Sequence, residues 1–134
     1  MSALTFAVAW AALSGGHQAA DYWIQTHRQA TRKTMPGWPG RRACLAHVAT
    51  YTLTLAACLA LAGTLLAVPP SWPHAAAGLA FSAVTHYAAD LRTLLRRLAV
   101  RLGKGGYWDN GGAAPLDQSF HWFCLFLAAL LIAA

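Results

Sequence analysis

Four long apolar stretches alternate with short polar ones along this chain. The first covers residues 3–24 and is interrupted by Gly15, Gly16, His17, Gln18 and Asp21. The second covers 43–68 and is uncharged apart from a possible charge on His47. The third covers about 75–91 and the fourth 116–134. Each is close to the roughly 20 residues that an α-helix needs to cross a bilayer core. Proline and glycine mark two junctions, in Met35-Pro36-Gly37-Trp38-Pro39-Gly40 and in Pro69-Pro70-Ser71-Trp72-Pro73, and glycine pairs mark the third. The pattern predicts an all-α fold: an integral membrane four-helix bundle, one transmembrane domain over 1–134, with spans at about 3–24, 43–68, 75–91 and 116–134. The first span lacks the basic n-region of a signal peptide and carries chemistry that a cleaved leader does not need.

Composition supports this reading. Hydrophobic residues make up 57% and charged residues 10%, against the roughly 25% charged of a soluble domain. The net charge of +6 raises the question of nucleic acid, and its distribution answers it. All ten Lys and Arg lie in two of the three loops: Arg28, Arg32, Lys33, Arg41 and Arg42, then Arg92, Arg96, Arg97, Arg101 and Lys104. The positive-inside rule places both loops in the cytoplasm and both termini outside, the topology of a multi-pass inner-membrane protein. That accounts for the charge without DNA or RNA. The bilayer itself is the first expected partner, and self-association is compatible with so short a chain.

Beyond the third span, Leu91, Leu94, Leu95, Leu98 and Leu102 recur at helical spacing with arginines between them. This predicts a basic amphipathic helix lying on the inner leaflet. The glycine-rich stretch 103–112 reads as a flexible connector. Its Gly-Lys-Gly-Gly lacks the spacing and the following Ser or Thr of a phosphate-binding loop.

Three of the four acidic residues sit four positions from a histidine: His17 with Asp21, His86 with Asp90, and Asp117 with His121. On a helix, positions i and i+4 share a face. His47 lies five residues past Arg42. In the predicted topology, every span offers an imidazole near its cytoplasmic end; His47, His86 and His121 lie roughly 8 Å inside their helix ends. Ionisable groups inside a membrane are costly and mark function. Neutral imidazole with carboxylate is the donor set of Zn(II), Mn(II) and Fe(II) sites, and bundle interiors hold such ligands on facing helices. The expected metal ligands are His17, Asp21, His47, His86, Asp90 and His121, for one or two divalent transition metal ions. Asp117 and Asp90 are the expected proton relays. Gln25, two turns past His17, and Gln118 are expected to contact substrate or water. A polar network of His/Asp hydrogen bonds joining the helices is the competing reading.

Other candidates carry less. Cys44, Cys58 and Cys124 are isolated in apolar runs and read as small hydrophobes. His27 and His74 read as surface or interfacial residues. Most of the six Trp flank the spans as interface anchors, with Trp23 and Trp122 near enough in sequence to wall a pocket.

The order of these motifs resembles the short bacterial membrane proteins grouped as the domain-of-unknown-function family 3307. That pattern has H-x-x-x-D-x-x-x-Q in the first helix, a histidine in the second, H-x-x-x-D in the third and D-Q-x-x-H in the last. Here they are His17 to Asp21 to Gln25, His47, His86 to Asp90, and Asp117-Gln118 to His121. The resemblance spans nearly the whole chain and implies no particular activity. The chain is also loosely similar to bacterial inner-membrane metal-dependent hydrolases. Its high Ala and Arg content looks like that of GC-rich actinobacterial proteins, among which small accessory proteins of mobile elements occur.

The expected function is an integral membrane metal-binding protein, with hydrolysis of a membrane-proximal small molecule or lipid at the cytoplasmic face as its chemistry. A small ion, metal or proton transporter is one alternative, although four spans are few for one. A haem protein with two axial histidines is another, and the i+4 carboxylates argue against it. A non-catalytic accessory of a larger membrane complex is the last.

Overall fold

The computed structural model describes residues 2–134, and the described residues form helices and no strand. Helix α1 (Ala3–Ala19) continues into a wide π turn over Ala20–Ile24. A short helix, α2 (His27–Arg32), follows and was not evident from the apolar pattern. Thr26 and Gln29 form a reciprocal capping box at its start, which explains how so short and polar a segment holds a helical turn. Helix α3 (Gly37–Leu65) starts six residues before the predicted span. Pro39 sits within its first turn, where a missing N–H costs nothing. The turn between α2 and α3 depends on two glycines. Gly37 has φ of 75°, and a side chain at Gly40 would collide with the Met35 carbonyl oxygen.

Helices α4 (Trp72–Asp90) and α7 (Ala113–Ala133) correspond to the third and fourth apolar stretches. Between them, α5 (Thr93–Arg101) is the predicted basic amphipathic helix, with Leu95 and Ala99 buried. The chain reverses into it through Arg92, at φ 59°. Residues 103–112, expected as a flexible connector, are instead largely ordered into a single turn, α6 (Gly105–Tyr107), and a second wide turn, Trp108–Gly112. Trp108 anchors them by packing with Leu95, Ala99 and Ala89.

The four long helices form a ring in which α1 packs on α3 and α7, and α4 packs on the same two. Close approaches give the directions. Gly16 meets Leu55 and Cys58, while Gly78 meets Ala128 and Ile132; the Ser2 N–H donates to the Ala133 carbonyl. Neighbouring helices are therefore antiparallel. Leu13, Tyr51, Leu55, Leu125 and Ile132 fill the interior of one half. The outer faces are apolar as well: Leu53, Leu61, Val84 and Phe123 are exposed by 70, 60, 69 and 59%. The polar groups lie inside. Two stretches, Gly37–Leu65 and Gly105–Ala133, are long and apolar enough to cross a membrane.

Candidate metal centre

The end of the bundle that carries both basic segments also collects the histidines. His17 on α1, His47 on α3, His86 on α4 and His121 on α7 are exposed by 0, 0, 1 and 2%. Burying an imidazole is tolerable because its neutral form has little charge to desolvate. All four rings use Nε2 toward their acidic or amide neighbours. His47 Nε2 and His86 Nε2 are 3.0 Å apart. His17 Nε2 is 3.3 Å from the Gln118 side-chain oxygen.

The acids enter from the same helices. Asp21 sits in the wide turn that ends α1, where the Gln25 N–H donates to the Ala20 carbonyl five residues back. Such π turns displace the side chains that follow and recur at functional sites. Here Asp21 Oδ1 comes 3.3 Å from His47 and 3.5 Å from His86, closer than the 3.8 Å from Oδ2 to its sequence partner His17. Asp90 Oδ2 lies 3.4 Å from His86 and 3.5 Å from His47. Asp117 Oδ2 lies 3.7 Å from His121. The i+4 spacing located the acids, but the closest contacts of Asp21 run between helices.

Donor atoms gather in three groups, each with all its atoms within 4.8 Å: His17 with Asp21 and His86; His47 with His86 and Asp90; Asp90 with Asp117 and His121. His86 and Asp90 each belong to two of these groups. All six residues expected as ligands are thus brought together, and Asp117, expected only as a relay, stands among them. Gln118 joins through His17 and lies 3.5 Å from Asp117. The Gln25 amide nitrogen is buried without a hydrogen-bond partner, so no polar contact links that group to the cluster. Trp23 is 88% exposed and walls nothing. Trp122 packs edge-on against Trp10. Cys44 directs its thiol at the Tyr87 carbonyl, 3.9 Å away, as a buried small residue would.

Two features had no counterpart in the sequence reading. Lys33, counted there as one of the cytoplasmic charges, turns inward and places Nζ 2.8 Å from Asp90 Oδ1. Tyr51 stacks on His86 with ring centres 3.8 Å apart and shares a 2.8 Å hydrogen bond with Ser82. A helical signal for both partners existed: Tyr51 is one turn from His47, and Ser82 one turn from His86.

The fit to a metal rests on polar atoms without partners. Asp21 Oδ1, Asp90 Oδ2, Asp117 Oδ1 and His121 Nε2 are buried and accept or donate no hydrogen bond. Buried carboxylate oxygens are expensive to leave bare, and a cation satisfies several at once. The ring nitrogens facing away, Nδ1 of His17, His47 and His86, also have no partner, so these imidazoles lack the outer hydrogen bond that commonly orients a metal-binding histidine.

No protein-family model, curated protein or solved structure matches the chain.

Proposed function

We propose that this chain is a four-span membrane protein that holds one or two divalent transition metal ions, Zn, Mn or Fe, at the cytoplasmic end of its helix bundle. The observation that carries the reading is the convergence of buried imidazole and carboxylate donors from four helices, with Asp21 Oδ1, Asp90 Oδ2, Asp117 Oδ1 and His121 Nε2 left without a hydrogen-bond partner. A purely structural His/Asp network would align those atoms for hydrogen bonds, whereas Asp21 Oδ1 and Asp90 Oδ2 lie 3.3–3.5 Å from His47 and His86 without that alignment. His17, Asp21, His47, His86, Asp90 and His121 are the proposed ligands. Asp117 stands beside them at the more open edge, with 13% of its side chain exposed. Membrane integration is supported by the apolar outer faces, and by Trp23 and Trp38 at one end of the bundle with Trp72 at the other. The four motifs and their order also support kinship with the domain-of-unknown-function family 3307.

The proposed chemistry is hydrolysis of a membrane-proximal substrate. A divalent cation supplies Lewis acidity and lowers the pKa of a coordinated water. The chain's own contribution is positional. His86 and Asp90 tie the donor groups together, the apolar bundle keeps bulk water out, and Asp117 offers a carboxylate between the cluster and the aqueous edge for proton transfer.

Elemental analysis of purified protein, before and after chelation, tests the metal reading. About one or two equivalents are expected, as in other metal sites within helix bundles. Protein that is metal-free and cannot be loaded with Zn(II), Mn(II) or Fe(II) would end it.

A further inference from the structure

Beside the metal cluster, α2 and the start of α3 enclose an open cleft of about 500 Å³. Arg28 and Arg32, one helical turn apart on α2, line it together with Arg42 and Trp38 of α3. Three guanidinium groups around one cleft repel one another unless an anion joins them. The chain has four acidic residues, and none lines the cleft. Asp109 is engaged by Arg96 at 3.2 Å, and the other three belong to the His/Asp cluster. The arginine trio therefore has no intramolecular counter-charge among the described residues.

The rest of the cleft indicates which anion it takes. Trp38, 63% exposed, stands at its rim, where an amphipathic ring suits a membrane–water boundary. Ala46 forms part of its floor. Leu53 lies two turns further along the same face of α3 and is 70% exposed. A charged head site thus opens onto an apolar track running down the helix. Free phosphate has no use for such a track, whereas an acyl chain does.

We propose that this cleft binds the phosphate headgroup of an anionic phospholipid, with Arg28, Arg32 and Arg42 as donors to the phosphate oxygens and an acyl chain laid along Ala46 and Leu53. Guanidinium suits the task because its planar fork donates in pairs to phosphate. The capping box of α2 and the tight corner at Gly37 and Gly40 hold the two arginine-bearing elements in place before the lipid arrives. The cluster on α5 lacks this construction: Arg96 already has Asp109, and Arg97 and Arg101 line an opening formed by α5 alone, with no second helix and no aromatic ring beside them. The proposal rests on the membrane reading above but not on the metal.

Native mass spectrometry of the detergent-solubilised chain, with phosphatidylglycerol or phosphatidylcholine added, tests it. Wild type should retain phosphatidylglycerol in preference to phosphatidylcholine. Replacing the trio (Arg28→Gln, Arg32→Gln, Arg42→Gln) should weaken that retention about 100-fold, from roughly fivefold per basic residue at an anionic surface. The lysine versions of the same three positions, which keep the charge but lose the paired donation, should retain the lipid better than the glutamine versions and less well than wild type, which controls for folding. Neutralising Arg97, Arg101 and Lys104 instead should leave it unchanged. Equal retention of both lipids, or equal loss from the two sets of variants, would overturn the cleft as a site. Displacement of the lipid by millimolar inorganic phosphate would make it a free-phosphate site and overturn the lipid assignment. Alkaline extraction of wild-type membranes reports separately on integration, so a failed membrane reading and a failed lipid site give different results.

Discussion

The Nε2 atoms of His47 and His86, on neighbouring antiparallel helices, face each other across 3.0 Å. At that distance an N–H of one ring can donate to the Nε2 of the other. Two nitrogens on a single tetrahedral zinc, with Zn–N of about 2.0–2.1 Å, sit ~3.4 Å apart. The pair is therefore a few tenths of an ångström from ligating geometry, a distance that side-chain rotation covers.

His86 belongs to two of the three donor groups and Asp117 to one. His86→Ala should therefore weaken metal binding by more than the roughly 10–100-fold that loss of an outer hydrogen-bonding partner costs. Asp117→Asn should remove at most one equivalent. Metal content of the two variants, measured side by side, decides this. Loss of all metal in Asp117→Asn with full retention in His86→Ala would reverse the proposed hierarchy.

Among the described residues, Lys33 contributes the only ammonium within the cluster, 2.8 Å from Asp90 Oδ1, with Asp90 2% exposed. Lys33→Met removes the partner and leaves that carboxylate bare. A charge-assisted hydrogen bond is worth about 1.5–3 kcal/mol, so the metal-free variant should unfold correspondingly more easily. Saturating zinc should restore part of the loss, because a cation replaces the ammonium. Thermal melts with and without zinc read both effects; a variant as stable as wild type in the chelated state would show the pair to be incidental.

Tyr51 holds His86 by its ring and Ser82 by its hydroxyl. Tyr51→Phe keeps the stack and strands a buried Ser82 hydroxyl, at a cost of about 1–3 kcal/mol with metal content unchanged. Tyr51→Ala opens a cavity worth about 3–5 kcal/mol, and it should also lower metal affinity because His86 loses its support. Equal metal binding by both variants would show that the ring does not position the imidazole.

At Gly78 a methyl group would come 2.8 Å from the Ala128 carbonyl oxygen. Small residues at helix crossings let backbones approach within a membrane. Gly78→Ala should push α4 and α7 apart at a cost of about 1–3 kcal/mol. Gly15→Ala, with open space around it, should be tolerated. A reporter of bundle stability, such as resistance to SDS, compares them.

The sequence revealed the four long helices because apolar length dominates the signal, and three of the four cluster histidines because their i+4 acids repeat, with His47 found by its matching depth in the second span. It did not reveal what depends on tertiary direction. Lys33 has the sign and location of a topology-setting charge, and nothing local shows it bending back 57 positions to reach Asp90. The partners of Asp21 were hidden by the wide turn at Ala20–Ile24, which breaks the 3.6-residue phase on which face assignments rely. The same phase shift explains why Gln25, aligned with His17 on an ideal helix, makes no polar contact in the cluster. Residues 103–112 read as loose because glycine dominates them, whereas one buried side chain, Trp108, is enough to anchor them.

The donor atoms come from positions as far apart as His17 and His121, and each of the four long helices supplies some. During synthesis, three of those helices are complete before α7 emerges, and until then the outer group of Asp90, Asp117 and His121 does not exist. For the proposed metal, full loading would thus be an end-of-assembly event: a chain truncated before α7, or one whose last helix fails to dock, has no complete set of donors to offer. Occupancy of the proposed site would therefore double as a record of whether biogenesis finished.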